Sequence, residues 1–278
     1  MRIDAHQHYW KLNRGDYGWL TPDMGVLYRD YLPADLEPSL ERHRIDKTVL
    51  VQAAPTTAET DYMLSLAAEH ESIGGVVGWL DMADPKFPQL FEEYRQQPAF
   101  VGIRPMLHDL SDNAWVTQPV VLENLTLLAE CDFPFDFLVR PQHLPYVLQV
   151  LEKVPNLRAV IDHIAKPDIK AQQFEPWASD LNAIGQHENV YCKLSGMVTE
   201  ADHANWTPTD LQPYVAHTVE CFGLERVMYG SDWPVSLLAA RYDDVIGALE
   251  ETLDPGLDEV GLANVFGGNA GQFYGIAK

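Results

Sequence analysis

Short runs rich in β-branched and aromatic residues recur along the chain at the spacing of a repeated strand–helix unit. They fall at Ile3–His6, Thr48–Gln52, Gly75–Leu80, Phe100–Arg104, Phe135–Val139, Arg158–Asp162, Asn189–Leu194 and Arg226–Gly230. Between them, Val120–Ala129, Leu144–Leu151, Asp210–Phe222 and Asp243–Leu253 carry apolar residues three and four apart, the period of a half-buried helix. Thr57, Glu59 and Asp61 precede the run Tyr62–Ala67 as a hydroxyl cap with acids in the first turn. Asp84-Pro85 predicts a further helix start. Eight strands alternating with helices predict an α/β fold, and a closed (β/α)8 TIM barrel is the simplest assembly. A doubly wound open sheet would carry a Gly-rich dinucleotide fingerprint after an early strand, and none is present. Without linkers, repeats or low-complexity tracts, residues 1–278 read as one domain.

Two connections break the pattern. Residues 9–33 hold Tyr9, Trp10, Tyr17, Trp19, Tyr28 and Tyr31, and residues 195–208 hold Met197, His203 and Trp206. Loops of this length in a compact domain are functional covers or disordered, and their aromatic content argues for covers. In a barrel both lie on the C-terminal face, where active sites are built. Trp10, Trp19 and Trp206 are therefore candidate pocket walls.

Composition removes several classes of function. A formal charge of −22 with no cluster of Lys and Arg excludes phosphate-backbone binding and disfavours anionic membranes. No stretch approaches the roughly 18 consecutive apolar residues of a membrane span. The chain reads straight into a strand, without a signal peptide. Cys131, Cys192 and Cys221 are widely spaced, as expected of reduced thiols. A cytoplasmic enzyme acting on a small molecule is the expectation, and a homo-oligomer is allowed.

In a closed barrel the polar residues that end the strands converge on one mouth. They are His6 and His8, Gln52, Asp81, Arg104, Arg140, Asp162 with His163, Lys193 with Ser195, and Asp232. Buried charges are costly unless paired, so this many at strand ends indicates a site. Side chains two apart on a strand point the same way, which aims His6 and His8 into one space. Imidazole nitrogens suit zinc and related ions, and Asp232 could complete the set or act as a base. His6, His8 and Asp232 are the candidate metal ligands, with one divalent ion, zinc first among the candidates, and no organic cofactor. Asp232, His163 and Lys193 are the candidate catalytic groups. Gln52, Arg104, Ser195 and the three tryptophans are the candidate substrate contacts. His108 and His143, which follow strands four and five, are further candidates near the mouth.

Four segments together resemble a known family. Ile3-Asp4-Ala5-His6-Gln7-His8, Val160-Ile161-Asp162-His163-Ile164-Ala165-Lys166-Pro167, Lys193-Leu194-Ser195-Gly196 and Tyr229-Gly230-Ser231-Asp232-Trp233-Pro234 are similar to the amidohydrolase-related barrel proteins. The closing Phe266-Gly267-Gly268-Asn269-Ala270-Gly271-Gln272-Phe273-Tyr274-Gly275 is similar too. Within that family the chain resembles the sugar-lactonase branch, which contains L-fuconolactonase and L-rhamnonolactonase. The resemblance implies a distorted TIM barrel and hydrolysis of a sugar-acid lactone to the aldonate. It maps His6, His8, His163 and Asp232 onto the family's strand-one, strand-six and strand-eight positions. Binuclear members of the wider superfamily need a bridging Lys or Glu on strand four and a His on strand five. Here those strands end in Arg104 and Arg140, so one ion, or none, is expected.

The resulting expectation is a lactonase in which Asp232 takes a proton from water. His163, Lys193, Arg104 or a metal would steady the developing oxyanion. Three rivals use the same mouth: a metal-dependent decarboxylase, a lactone isomerase and a non-catalytic sugar-binding protein.

Overall fold

The computed structural model describes residues 1–253 and 256–276. Eight parallel strands follow one another around one sheet in chain order. They are β1 (Ile3–Gln7), β2 (Lys47–Val51), β3 (Ile73–Gly78), β4 (Phe100–Ile103), β5 (Phe135–Phe137), β6 (Ala159–Ile161), β7 (Val190–Leu194) and β8 (Val227–Tyr229). Every predicted run is present. The ring shuts just beyond the ends of β1 and β8, where Gln7 bridges Trp233. There the His8 amide donates to Trp233 O at 2.7 Å and the Asp232 amide donates to His6 O at 2.8 Å. The fold is a (β/α)8 TIM barrel.

Around it run α1 (Pro33–His43), α2 (Thr57–Glu69), α3 (Phe87–Tyr94), α4 (Pro119–Glu130), α5 (Leu144–Lys153), α6 (Trp177–Gly185), α7 (Pro208–Phe222), α8 (Tyr242–Thr252), α9 (Glu259–Ala263) and α10 (Asn269–Tyr274). One predicted start is corrected. α3 begins at Phe87 with Pro88 in its first turn. Asp84-Pro85 belongs to the preceding turn, where Asp84 Oδ1 accepts the Lys86 amide at 2.8 Å. Among the described residues no helix is long and apolar enough to cross a membrane.

Alternation divides the strand side chains between two cores. Val190, Cys192 and Leu194 of β7 pack outward against the helices, as do Phe135 and Phe137 of β5. Ile3, Ala5, Val49, Val51, Val77, Val160 and Met228 face the barrel interior, where α10 adds Phe273 and Tyr274. An ionic layer adjoins this apolar one. Lys193 Nζ lies 2.6 Å from Asp136 Oδ2 and 3.0 Å from Asp162 Oδ1. Tyr274 donates its hydroxyl to Asp136 at 2.8 Å, and Arg104 Nη1 donates to Asp162 at 3.1 Å. All four charged groups are buried, an arrangement sustained only by mutual pairing.

Candidate active site at the barrel mouth

β1 delivers its histidines through an irregularity. Ile3 and Ala5 face the interior, while Asp4 turns away to the Ser231 amide and the Tyr242 hydroxyl. Strict alternation would send His6 out with Asp4. The pairing with β2 shifts register between Asp4 and Gln7, and a bulge of this kind re-aims a side chain. His6 thus enters the interior, with Nδ1 3.2 Å from Lys193 Nζ and Nε2 3.2 Å from Arg104 Nη1. Gln7 turns out to donate to Thr48 at 3.0 Å, and His8 comes back in. Gly230 makes this approach possible, since a Cβ there would lie 2.7 Å from the Cβ of His6.

His8 donates Nδ1–H to Val51 O at 2.7 Å, which fixes the ring with Nε2 toward the mouth. That nitrogen lies 3.2 Å from His6 Nε2 and 3.3 Å from Asp232 Oδ1. The same carboxylate oxygen lies 3.8 Å from both His6 Nε2 and His163 Nε2. Burial, aided by Lys193 and Arg104, holds His6 well below the usual histidine range. Burial, aided by His6 and Lys166, does the same to His163, so both rings are neutral at neutral pH. A tetrahedral ion with bonds of about 2.0–2.1 Å has ligand–ligand edges of about 3.3–3.4 Å. The three donor atoms of His6, His8 and Asp232 stand 3.2 to 3.8 Å apart and fit one divalent ion. A second grouping, His6 with Asp162 and His163, competes poorly because Lys193 and Arg104 already bind Asp162. Burial raises the Asp162 carboxyl, but these two cations outweigh it and hold it below the usual range.

β6 feeds His163 into the mouth through a left-handed turn. His163, Ile164, Ala165 and Lys166 have φ of 54°, 49°, 61° and 51° in succession. Each such non-glycine residue costs roughly 1–2 kcal/mol, so the surroundings must enforce the turn. Trp177 of α6 donates its indole N–H to Ile164 O at 2.6 Å, and the Lys166 amide donates to His163 O at 2.8 Å. Ser195 Oγ sits 2.8 Å from His163 Nδ1. Gly196, at φ 62°, presses on the same ring, where a Cβ would come within 2.6 Å of Nδ1.

Above these groups opens a cavity of about 360 Å³, within the usual size range of small-ligand sites. His8, His163, Asp232, Arg104, Trp19 and Lys166 line it, with His108 and Arg140 toward its rim. Gln52 and Ser195 stand behind it. Gln52 Oε1 accepts from Arg104 Nη2 at 2.9 Å and Ser195 holds His163, so both orient other groups.

Lys193, expected as a catalytic group, and Gln52, Ser195, Trp10 and Trp206, expected as substrate contacts, all lie outside the cavity lining. Lys193 is fully buried on Asp136 and Asp162, outside the cavity lining. Trp10 is fully buried, its indole N–H given to Arg29 O at 2.9 Å and its ring edge-on to Trp19 and Tyr31. Trp206 donates to Ala239 O at 3.0 Å and packs on the outer core, away from this cavity. His143 is also turned aside, its Nδ1 accepting the Arg140 amide at 3.1 Å. Lys166, three residues after His163, also lines the cavity, although nothing in the strand-end pattern singles it out. It pairs with Glu200 at 2.5 Å.

Comparison with known proteins agrees with this geometry. A family model described as amidohydrolase matches residues 3–276. An L-fucono-1,5-lactonase of Burkholderia ambifaria is 41% identical over all of this chain and 96% of its own. An L-fucono-1,5-lactonase of Burkholderia multivorans is 34% identical over all of this chain and 97% of its own. The crystal structure of a Burkholderia multivorans amidohydrolase with bound zinc is 33% identical and superposes with a TM-score of 0.93 over the whole of both chains. With the barrel, the re-aimed histidines and the strand-eight aspartate all in place, the chain belongs to the amidohydrolase family.

Proposed function

We propose that the protein hydrolyses the lactone of a sugar acid, of the L-fuconolactone class, to the open aldonate. The observation that carries the reading is the placement of Asp232 Oδ1 within 3.3 to 3.8 Å of three histidine nitrogens at the floor of the cavity. Two full-length relatives above 30% identity bear that activity in their names.

In this reading a water attacks the lactone carbonyl carbon, and Asp232 accepts the proton that the water loses. Arg104, a permanent cation held by Asp162 and Gln52, and Lys166 supply the positive field for the oxyanion. The tetrahedral centre then collapses, the bond from the carbonyl carbon to the ring oxygen breaks, and Asp232 returns the proton to that oxygen. The carboxylic acid so formed ionises and releases one proton to solvent. His163, steadied by Ser195, borders the reacting atoms. Trp19, His108 and Arg140 face the hydroxyl-bearing side of the substrate. A zinc ion held by His6, His8 and Asp232 would polarise the carbonyl or acidify the water.

The test is proton release from a panel of aldonolactones, read against the uncatalysed rate in the same buffer. L-Fucono-1,5-lactone is expected to be opened with one proton per turnover. Release of carbon dioxide from an aromatic acid, or a new lactone without acid, would replace the reading with a decarboxylase or an isomerase.

A further inference from the structure

A second cavity, of about 630 Å³, adjoins the catalytic one, and Trp19, Met106 and Asp109 line both. Its other walls bring in Trp79 from the loop after β3 and Trp115 from the loop after β4, with Asp16 and Asp81 among them. Three indoles from three separate βα loops thus surround one space on the catalytic face.

Trp19 and Trp115 pack against the outer core, but packing alone leaves the polar edges around this cavity unexplained. Trp10, Trp177 and Trp206 each donate their indole N–H to a backbone carbonyl, and Trp19 donates to Ala53 O at 2.7 Å. Trp79 and Trp115 are half-buried, and neither has an indole hydrogen bond or a ring partner among the described residues. Asp16 Oδ2 is engaged by Arg14 at 2.7 Å, but its Oδ1 is buried without a partner. The strand-end pattern places Asp81 at the catalytic mouth, but it lines the second cavity instead. It caps the Ala83 amide through Oδ1 at 2.9 Å and leaves Oδ2 unbonded at this second cavity.

Flat apolar faces beside free acceptors and free N–H donors match one ligand chemistry closely. A pyranose ring offers an apolar C–H face for stacking and a rim of hydroxyls that both donate and accept. A fatty or purely aromatic ligand would strand the carboxylates. A free anion would be repelled by them. We propose that this cavity is a second sugar subsite, so that the preferred lactone carries a further pyranosyl group on a ring hydroxyl. The inference rests on the sugar-lactone reading. It names the part of the substrate that lies beyond the reacting ring, and the shared wall at Trp19 is the point where the two units join.

The test compares L-fucono-1,5-lactone with derivatives bearing a β-linked pyranose on each ring hydroxyl in turn. Wild-type enzyme should favour one derivative by about tenfold in kcat/KM, through KM, the scale of one well-placed aromatic contact. W79A and W115A should abolish that preference while changing the parent lactone less than twofold, and W115F should keep most of it. Thermal unfolding of each variant identifies any that fails to fold, and the Phe variant then decides the matter. Equal treatment of parent and derivatives by wild type, or equal losses on both in the variants, overturns the subsite. No turnover of the parent lactone overturns the lactonase reading. In that event calorimetric binding of neutral pyranosyl alditols, present in wild type, lost in W115A and kept in W115F, still decides the subsite.

Discussion

Lys193 Nζ lies 2.6 Å from Asp136 Oδ2, and neither side chain reaches solvent. The pair joins β7 to β5 across the barrel interior, with Asp162, just beyond the end of the intervening β6, as a second partner. Removing the ammonium would leave two buried carboxylates facing each other. K193M is expected to lose about 3–5 kcal/mol of stability, the scale for breaking a buried pair from one side. Denaturant unfolding measures it, and an unchanged midpoint would contradict the structural role.

Asp232 sits at φ 54°, a conformation that Asn adopts readily. D232N should therefore fold normally and lose kcat by at least about a hundredfold, the scale of a missing general base. Near-normal turnover would remove Asp232 from the mechanism.

His8 turns Nε2 toward His6 and Asp232 because Val51 O accepts the hydrogen on Nδ1. H8A should weaken zinc binding by more than about a hundredfold, exceeding the usual effect of losing a supporting contact alone. Equilibrium dialysis with elemental analysis gives the stoichiometry, for which one ion per chain is expected. Chelation at neutral pH should remove less activity than D232N does. Complete loss that zinc restores would make the ion obligatory.

Trp177 supplies the hydrogen bond to Ile164 O that helps hold the left-handed turn. W177F removes the indole N–H and leaves a buried carbonyl unpaired, a cost of about 1–3 kcal/mol to which the lost ring volume adds. With the turn loosened, kcat should fall while binding of a product aldonate changes little. Unfolding midpoint and turnover both at wild-type values would show that the turn holds without it.

Glu59 accepts the Ala53 amide at 2.9 Å and the Ala54 amide at 2.7 Å, and Ala53 lines the catalytic cavity. Burial lifts its carboxyl to about 8 against the pull of those amides. A folded value above the ordinary 4.5 means that the stability contribution is complete below 4.5 and is lost as pH rises through about 8. Across that window wild type should lose stability relative to E59Q, with a slope approaching about 1.4 kcal/mol per pH unit. Parallel stability profiles for the two proteins would refute it.

The strands are legible in the sequence because each carries alternating or continuous β-branched and aromatic residues, as parallel strands covered on both faces do. Asp232 is legible as a polar residue placed directly after a buried strand. The route of His6 into the site is not, since a bulge between Asp4 and Gln7 leaves no local signature and strict alternation predicts the opposite face. Lys193 reads as a mouth residue because the sequence does not reveal that Asp136 lies across the interior to claim it. Trp10 and Trp19 look equivalent in a loop. Only the tertiary path places Trp10 beneath the pocket and Trp19 on its wall. The turn at Lys166 is hidden for a similar reason, since Trp177 lies in a later helix.

The closure between β1 and β8 has a consequence for how the enzyme comes into being. His6 lies in the first of the eight strands and His8 just after it, whereas Asp232 follows the last of the eight. Their contact is the seam itself: the His8 and Asp232 amides bond across it. An incomplete barrel can hold most of its helices and strands and still have no reactive centre. In the proposed mechanism the reactive centre is complete only once the last strand has closed on the first, so turnover is expected to follow closure of the barrel.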